Sequence, residues 1–510
     1  MDRKVFRKYL EEVFKAEGAD RVIAALECPP SVSVRLNPGK FYWAGEENGG
    51  SAGVSSGMPM EVAGAKVSGT VPWNSRGVFL ESRPVFTLDP LIHAGAYYVQ
   101  DSSSMFVGFV FRQMLGKLKE EGKLPEGRNL RVLDLCAAPG GKTTDLAASL
   151  REALGDRFLL VSNEVMKNRA GTLADNVALW GDPNIVVTSA DPAAFARLRG
   201  FFDIVLTDVP CSGEGMFRKD AEAEAQWSEE TVALCEGRQR RILADIWPAL
   251  RDGGLLIYST CTFNRRENDG NVLWVASELG AAHLQIDCRF DGPVQTECGY
   301  SLAPGFVPGE GQYCAALMKH GGIEGATSCD SMPCSDSDSS RAGKRKEFRR
   351  NVSDKSQFSS KGAPAGKGTS AIPERELSGL FCIPTVLRTR GETIVAVPKM
   401  TASDLGALEA CVKPVAAGVA VGVVKGGKLV PDADLSLSTA LNDSAFPDVE
   451  LDCLTALHYL HRDAISLPSG TPAGICTVSY LDRKIGFVKN IGSRCNSLHP
   501  MSRRILMDIR

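Results

Sequence analysis

Short apolar runs alternate with helix-like stretches between residues 130 and 320, and this alternation constrains the fold more than any other feature of the chain. It is typical of parallel strands joined by helical crossovers, an arrangement that covers a sheet on both faces. Ligands of such sheets bind at the carboxyl ends of the strands, so the residues that end each run are the candidates for function. The runs are LRVLDLCA, FLLVSNEV, NIVVTSAD, FDIVLTDVP and GGLLIYSTC, and QYCAALMKH is predicted to close the sheet.

The segments on either side follow other patterns. A chain of 510 residues exceeds what one hydrophobic core supports, so several domains are expected. Residues 1–120 predict a small α/β module, and residues 121–320 hold the alternating pattern. Residues 321–374 are rich in Ser, Gly and basic residues, a composition typical of a disordered linker. Residues 375–510 contain short strand-like runs and predict a compact, β-rich domain.

Composition excludes several classes of protein. No apolar run is long enough to span a bilayer, and the first residues do not resemble a signal peptide, so we expect a cytoplasmic protein without membrane contact. The fifteen cysteines include no CxxC pair, so neither a disulfide framework nor a zinc site is predicted. His458 and His461 have ligand-like spacing but lack a matching cysteine pair, which favours an ordinary helix face. No metal is predicted.

Charge is nearly balanced, with a formal net charge of -3, so any affinity for nucleic acid must come from local basic patches. Residues 482–510 carry seven basic residues against two acidic ones. Residues 340–372, in the predicted linker, are also strongly basic. These two segments are the candidates for contact with phosphates.

The first strand of the pattern runs into DLCAAPGGKTTDLA, where a turn with glycines precedes a helix. This arrangement lets backbone N–H groups approach a nucleotide. A phosphate-binding P-loop is excluded because Cys136 stands where its first glycine is required, and the dinucleotide GxGxxG pattern is absent. Glu164 ends the second strand, where it could accept ribose hydroxyls, and Asp191 ends the third, near an adenine amine. Together these residues predict an adenosyl-ligand site.

Two cysteines follow the next two strands, Cys211 in DVPCSGEGMFRK and Cys261 in STCTFNRREN. One such cysteine would usually be an inert core residue, but two facing one cleft indicate chemistry. Carbon 5 of cytosine becomes nucleophilic only after a thiolate adds to carbon 6. Asp208, if protonated, could hold the N3 and N4 edge of that base.

That reaction requires an activated thiolate, and nearby cations depress a thiol pKa. Lys142, Arg218 and Lys219 lie in the same motifs and are the candidate cations.

With DLCAAPGGKT, DVPCSGEG and STCTFNRREN in this order, the chain resembles the Nop/Sun family of RNA 5-cytosine methyltransferases. SVRLNP, VPWNSRGVFL and IGFVKNIGSRCN make it similar to the bacterial RsmF-type enzymes of 16S rRNA. The resemblance implies a Rossmann-like class I methyltransferase sheet in residues 121–320. It also implies that the N-terminal α/β module binds RNA and that residues 375–510 form a PUA-like RNA-binding domain.

By motif, the resemblance implies that Cys261 is the nucleophile and that Cys211 assists release, while the chemistry above adds Asp208 as a third catalytic residue. S-adenosyl-L-methionine is the implied cofactor, 16S rRNA or the 30S subunit is the implied partner, and a monomer is expected. The implied cofactor residues are Cys136, Ala137, Ala138, Pro139, Gly140, Gly141, Lys142, Glu164, Arg169, Asp191 and Asp208.

Other functions stay open at this point. A tRNA 5-cytosine methyltransferase would carry the same motifs. A catalytically silent ribosome-assembly factor would have no need of two cysteines. A small-molecule or protein methyltransferase would use neither the cysteine pair nor the flanking modules.

Overall fold

The computed structural model describes residues 1–41, 59–320 and 372–509. The predicted linker at 321–374 therefore lies almost entirely outside the described residues. In the part of the chain that is described, no helix combines the length and apolarity needed to cross a membrane.

The N-terminal part pairs one long helix with an antiparallel sheet. The strand predicted from SVSVRLNPGK is present as β1, and the strand order is β2-β3-β4-β1-β5. Val34, Leu36 and Val78 fill its core. Its helices and strands are α1 (Arg3–Leu26), β1 (Val32–Leu36), β2 (Glu61–Val62), β3 (Ala65–Val71), β4 (Asn74–Leu80), α2 (Pro90–His93), β5 (Tyr97–Val99) and α3 (Met105–Glu120).

The central part is an α/β sheet, as the alternation predicts. Each of the apolar runs forms a strand, and their order is β14-β10-β9-β6-β7-β8. Strands β10, β9, β6, β7 and β8 are mutually parallel, whereas β14 is antiparallel to β10. The elements are β6 (Leu130–Asp134), α4 (Gly141–Leu154), β7 (Phe158–Asn163), α5 (Lys167–Trp180), β8 (Ile185–Thr188), β9 (Phe202–Asp208), α6 (Ala221–Gln226), α7 (Glu229–Ile246), β10 (Leu250–Thr260), α8 (Asp269–Glu278), β11 (Ala281–Leu284), β12 (Val294–Gln295), β13 (Tyr300–Leu302) and β14 (Gln312–Lys319).

Helices cover both faces of this sheet. One apolar core contains buried residues of α3, α4 and α5, and the other contains buried residues of α7 and α8. The predicted module boundary at residue 120 thus falls at the end of α3, a helix that packs in the same core as the central sheet. A parallel sheet needs such cover because its strands are apolar on both faces.

The C-terminal part holds two small sheets, in keeping with the predicted β-rich character. The first has the order β15-β16-β18-β19 and the second β20-β21-β22-β23. Its elements are α9 (Glu374–Ser378), β15 (Thr385–Arg390), β16 (Thr393–Pro398), α10 (Ala402–Glu409), β17 (Pro414–Ala417), β18 (Val419–Lys425), β19 (Lys428–Pro431), α11 (Ala433–Leu437), β20 (Asp448–Glu450), α12 (Cys453–His461), β21 (Gly474–Tyr480), β22 (Arg483–Asn490) and β23 (Cys495–Ser497).

One C-terminal strand belongs to neither small sheet. β17 pairs antiparallel with β8 and so extends the central sheet at its edge. Leu405 and Leu408 of α10 pack in the same core as α7, and Asp404 forms an ion pair with Arg131 of β6 at 2.7 Å. The segment around α10 and β17 therefore completes the central domain rather than lying apart from it.

Candidate active site

A glycine-containing loop, residues 135–141, leaves the end of β6 and starts α4. We call it the glycine loop. Ala137 N donates to Asn163 O at 2.8 Å, which ties the loop to the end of β7. Gly140 has φ of 115°, a left-handed conformation that favours glycine. A Cβ at Gly141 would lie 3.2 Å from the Tyr98 ring, so the close packing there also favours glycine.

A buried arginine from the N-terminal sheet holds this loop. Arg35 of β1 is fully buried, and its Nη2 donates to Gly141 O at 3.1 Å and to Thr144 Oγ1 at 2.5 Å. Its Nε donates to Gln100 Oε1 at 2.8 Å. Burial lowers the pKa of Arg35 to about 10, which leaves the guanidinium charged at neutral pH. The N-terminal module therefore helps to shape the loop.

The two predicted strand-end acids differ in environment. Glu164 is buried, lies 3.3 Å from Arg169 Nη1, and accepts from Met166 N at 2.9 Å. Arg169 also donates to Ala138 O at 2.9 Å, so it links this carboxylate to the glycine loop. Asp191 is exposed and accepts from Ala193 N at 3.0 Å. The structure thus brings Glu164 and Arg169 to the loop and places Asp191 at the end of the neighbouring strand.

Lys142 lies in the first turn of α4, directly after the glycine loop, and contacts Asp208 at the end of β9. Its Nζ donates to Asp208 Oδ2 at 2.8 Å. Burial alone would lower the pKa of Lys142, but the Asp208 carboxylate more than offsets this and raises it. Ser259 Oγ and Gln312 Nε2 donate to Asp208 Oδ1 at 2.8 and 3.1 Å. Asp208 accepts in each of these contacts, and its role in holding the N3 and N4 edge of a base stays a prediction.

The two cysteines meet at the carboxyl ends of β9 and β10. The distance from Cys211 Sγ to Cys261 Sγ is 3.2 Å, and both side chains are partly exposed. The hydrogen bond to Cys261, together with burial, raises the pKa of Cys211 well above its ordinary value. Either thiol could be the donor in this contact.

Only one of the three candidate cations lies against this pair. Arg218 is buried and pairs with Glu310 at 2.9 Å, and Lys219 lies 3.7 Å from the same carboxylate. Their charges are used in holding the loop that precedes β14. Lys142, which pairs with Asp208, is the candidate cation that interacts electrostatically with Cys261.

Two carboxylates that the sequence analysis did not single out lie beneath the cysteines. Glu214 and Glu267 are fully buried. Asn264 Nδ2 donates to both, at 2.9 and 2.8 Å. Both residues belong to the cysteine motifs, so the sequence indicated that they lie near the cysteines. A motif does not reveal which backbone group an acidic side chain binds.

Some basic residues of the segment 482–510 form ion pairs with other parts of the protein, and others lie exposed on the surface. Arg503 pairs with Asp175 of α5 at 2.9 Å and with Asp434 at 2.6 Å, so it fastens this segment to the central domain. Lys484 pairs with Asp443 at 2.6 Å. In the described part of this segment, three exposed basic residues have no ion pair or side-chain hydrogen bond: Lys489, Arg494 and Arg504.

The two helix histidines of α12 share an acid. His458 Nδ1 and His461 Nδ1 each lie 2.8 Å from an oxygen of Asp463. Both rings are partly exposed in the last turn of α12, in keeping with the ordinary helix face predicted for them.

Comparison with known families follows the same division of the chain. Residues 124–318 match the model of the 16S rRNA methyltransferase RsmB/F family. This region belongs to the RsmB/F family. Residues 446–505, which include β20 to β23, match the model of the methyltransferase RsmF PUA domain. The resemblance and the fold class expected from the motifs are thereby confirmed: a class I methyltransferase sheet is followed by a β-rich PUA domain.

Two curated relatives of the RsmB/F region share the same name. The chain is 35% identical over 265 residues to ribosomal RNA small subunit methyltransferase F of Enterobacter sp. (strain 638), covering 50% of this chain and 52% of that protein. It is 36% identical over 260 residues to the enzyme of the same name from Escherichia coli O157:H7, covering 49% and 51%. The chain thus spans about half the length of the curated relatives it matches.

A solved structure shares the fold. The crystal structure of PH0851 superposes with a TM-score of 0.51 at 21% identity, covering 62% of this chain and 65% of that one.

Proposed function

We propose that this protein methylates C5 of a cytosine in 16S rRNA, with S-adenosyl-L-methionine as methyl donor and Cys261 as nucleophile. The observation that carries the proposal is the contact of Cys211 and Cys261 at 3.2 Å, beside the Lys142–Asp208 ion pair. A DNA- or RNA-binding protein without this chemistry would need neither thiol. The names of the relatives support the substrate, and they favour the cytoplasm as the location.

The residues around the glycine loop fit the cofactor. A Cβ at Gly141 would crowd the Tyr98 ring, and the backbone N–H groups at the start of α4 are the donors that could approach a ligand. Asp134 at the end of β6 has one buried oxygen without a partner among the described residues, and burial raises its pKa to about 7. Glu164 and Asp191 would accept the ribose and adenine groups. When bound, S-adenosyl-L-methionine supplies a methyl group on a sulfonium sulfur.

The chain's own groups would then act in order. The Cys261 thiolate adds to C6 of the cytosine, which forms an S–C6 bond and makes C5 nucleophilic. C5 takes the methyl group, the C5 proton leaves to a base or to water, and the S–C6 bond breaks to regenerate the Cys261 thiolate. Cys211 assists by donating a hydrogen bond to that sulfur. Asp208, as an acceptor, would hold the N4 amine of the base.

RNA would be held by the modules on either side of the central domain. Arg35 shows that the N-terminal sheet reaches the glycine loop, and Arg503 shows that the PUA domain docks against α5. The exposed cations Lys489, Arg494 and Arg504 lie on this docked domain. A PUA domain beside the catalytic sheet supports recognition of structured RNA.

Methyl transfer from labelled cofactor to naked 16S rRNA, 30S particles and tRNA, measured in parallel, tests the proposal. We expect label in one of the two ribosomal substrates, at a cytosine that resists bisulfite conversion. Label in tRNA alone would overturn the substrate, and label retained without 5-methylcytosine would overturn the chemistry.

A further inference from the structure

The buried acids beneath the cysteines hold the two cysteine loops, which we define as residues 209–216 and 261–268. Glu267 Oε2 accepts from Ser212 N at 3.1 Å, the amide directly after Cys211. Glu214 Oε2 accepts from Phe263 N at 2.6 Å, two residues after Cys261. Each loop therefore supplies the carboxylate that fixes the backbone of the other.

The network around Glu267 leaves it little freedom. Gln239 Nε2 donates to Glu267 Oε2 at 2.7 Å and also to Pro210 O at 3.0 Å, so α7 holds both the carboxylate and the Cys211 loop. Asn264 Oδ1 in turn accepts from Glu267 N at 2.9 Å. A buried carboxyl group held by this many donors is fixed in position.

Charge is distributed unevenly across the cysteine pair. The cation Lys142, which pairs with Asp208, interacts electrostatically with Cys261, and the Glu267 carboxyl accepts from the amide that follows Cys211. An anion disfavours a thiolate and a cation favours one. Two further ionisable groups interact electrostatically with the pair: Tyr258 from β10 with Cys211, and Cys235 from α7 with Cys261.

We propose that Glu267 is a positioning residue that fixes the Cys211 loop and keeps Cys211 in the thiol form, so that Cys261 is the cysteine that ionises and attacks. The inference rests on the proposed function for its catalytic meaning. Burial and the neighbouring Glu214 raise the pKa of Glu267 itself to about 7, so its charge develops as the pH passes neutrality. The Cys211 thiol then donates to the Cys261 sulfur before attack and again when the S–C6 bond breaks.

The test measures the thiol directly and requires neither RNA nor cofactor. In the C261A protein, the rate of alkylation of Cys211 by iodoacetamide is followed by mass spectrometry from pH 6 to pH 11. We expect E267Q to raise that rate about tenfold near pH 8, because removal of the charge lets Cys211 ionise at lower pH. E214Q is the matched control, since Glu214 is equally buried but holds Phe263, and it should change the rate less than threefold.

Further variants separate charge from position. E267D keeps the carboxyl group, but its shorter side chain moves that group away from Ser212 N. We expect slower turnover, because the Cys211 loop is less well fixed, and no tenfold increase in the rate of Cys211 alkylation. If E267D alkylates like E267Q, or if E267Q leaves the rate unchanged, the proposal is overturned.

A measurement on the protein with Glu267 unchanged tests the proposal even if these variants misfold. The alkylation midpoint of Cys211 in the folded C261A protein must lie above that of the unfolded chain, and a midpoint at or below it would also overturn the proposal. Absence of methyl transfer would refute the proposed function while leaving the alkylation result intact.

Discussion

The glycine loop and the two cysteine loops lie at the same edge of one sheet but are held by different parts of the molecule. Arg35 of the N-terminal sheet and Arg169 of α5 hold carbonyl groups of the glycine loop. The cysteine loops are held by Glu214 and Glu267 from within those same loops. Because Arg35 comes from the N-terminal sheet, the conformation of the glycine loop depends on the packing of that sheet against the central domain. The cysteine loops are instead held from within the central domain, by each other and by Gln239 of α7. This difference predicts which changes damage binding and which damage chemistry.

The largest effect should come from the cysteine side. Substitution C261A is expected to lower the rate of methyl transfer about 10⁴-fold or more, because it removes the nucleophile. Cofactor affinity, measured by calorimetry, should stay within threefold of the parent protein, since the glycine loop does not depend on this residue. Residual transfer above one part in a hundred would contradict the assignment.

Substitution C211A should impair a later step of the reaction than C261A does. Addition and methyl transfer can proceed, but the Cys261 sulfur loses its hydrogen-bond donor, so turnover is expected to fall about 10²-fold. A protein–RNA adduct should then accumulate and migrate slowly on a denaturing gel. The C211A/C261A double variant is the control and should form no adduct. If C211A gives none either, the two cysteines do not have separate roles.

Arg35 provides the corresponding test of the glycine loop. R35M removes a buried cation that holds Gly141 and Thr144, and we expect a loss of about 3 kcal/mol in the free energy of unfolding and about tenfold weaker cofactor binding. R76M, in the same module, breaks an ion pair with the exposed Glu152 and should cost about 0.5 kcal/mol. Denaturant titration and calorimetry would measure both. Equal losses in the two variants would mean that Arg35 has no special connection to the loop.

The smallest effect concerns the surface charges of the PUA domain. Replacing Lys489, Arg494 and Arg504 with alanine should weaken RNA binding about tenfold and reduce its salt dependence by about two units of slope. R503A instead removes the ion pairs to Asp175 and Asp434, so it should lower the melting temperature with less change in the salt slope. An unchanged slope in the triple variant would exclude these three residues from the RNA surface.

Much of the fold could be predicted because its signals are local. Each apolar run became a strand at the expected place, and the motifs that end β6, β9 and β10 converge on one edge. The contacts that could not be predicted join distant segments. PVAA, the sequence of β17, is not strand-like, and its partner β8 lies more than two hundred residues earlier.

The candidate site shows the same limit. Cys211 and Cys261 stand out by position. Gln312 begins the run that was predicted to close the sheet, but that pattern does not reveal its contact with Asp208. The basic segment at 482–510 was predicted from a charge count, and a count cannot show that Arg503 faces inward to Asp175. Removal of residues 376–510 as a test of RNA binding would also remove β17 and expose the edge of β8.

The pairing of β17 with β8 bears on how the chain folds as it is made. Translation proceeds at about 5–20 residues per second, so the edge of β8 waits roughly ten to fifty seconds for its partner. An open, apolar strand edge invites pairing with other chains during that interval. The catalytic domain thus cannot finish folding when its own last strand, β14, is made, and a ribosome that stalls within residues 321–413 would release a domain with one unprotected edge.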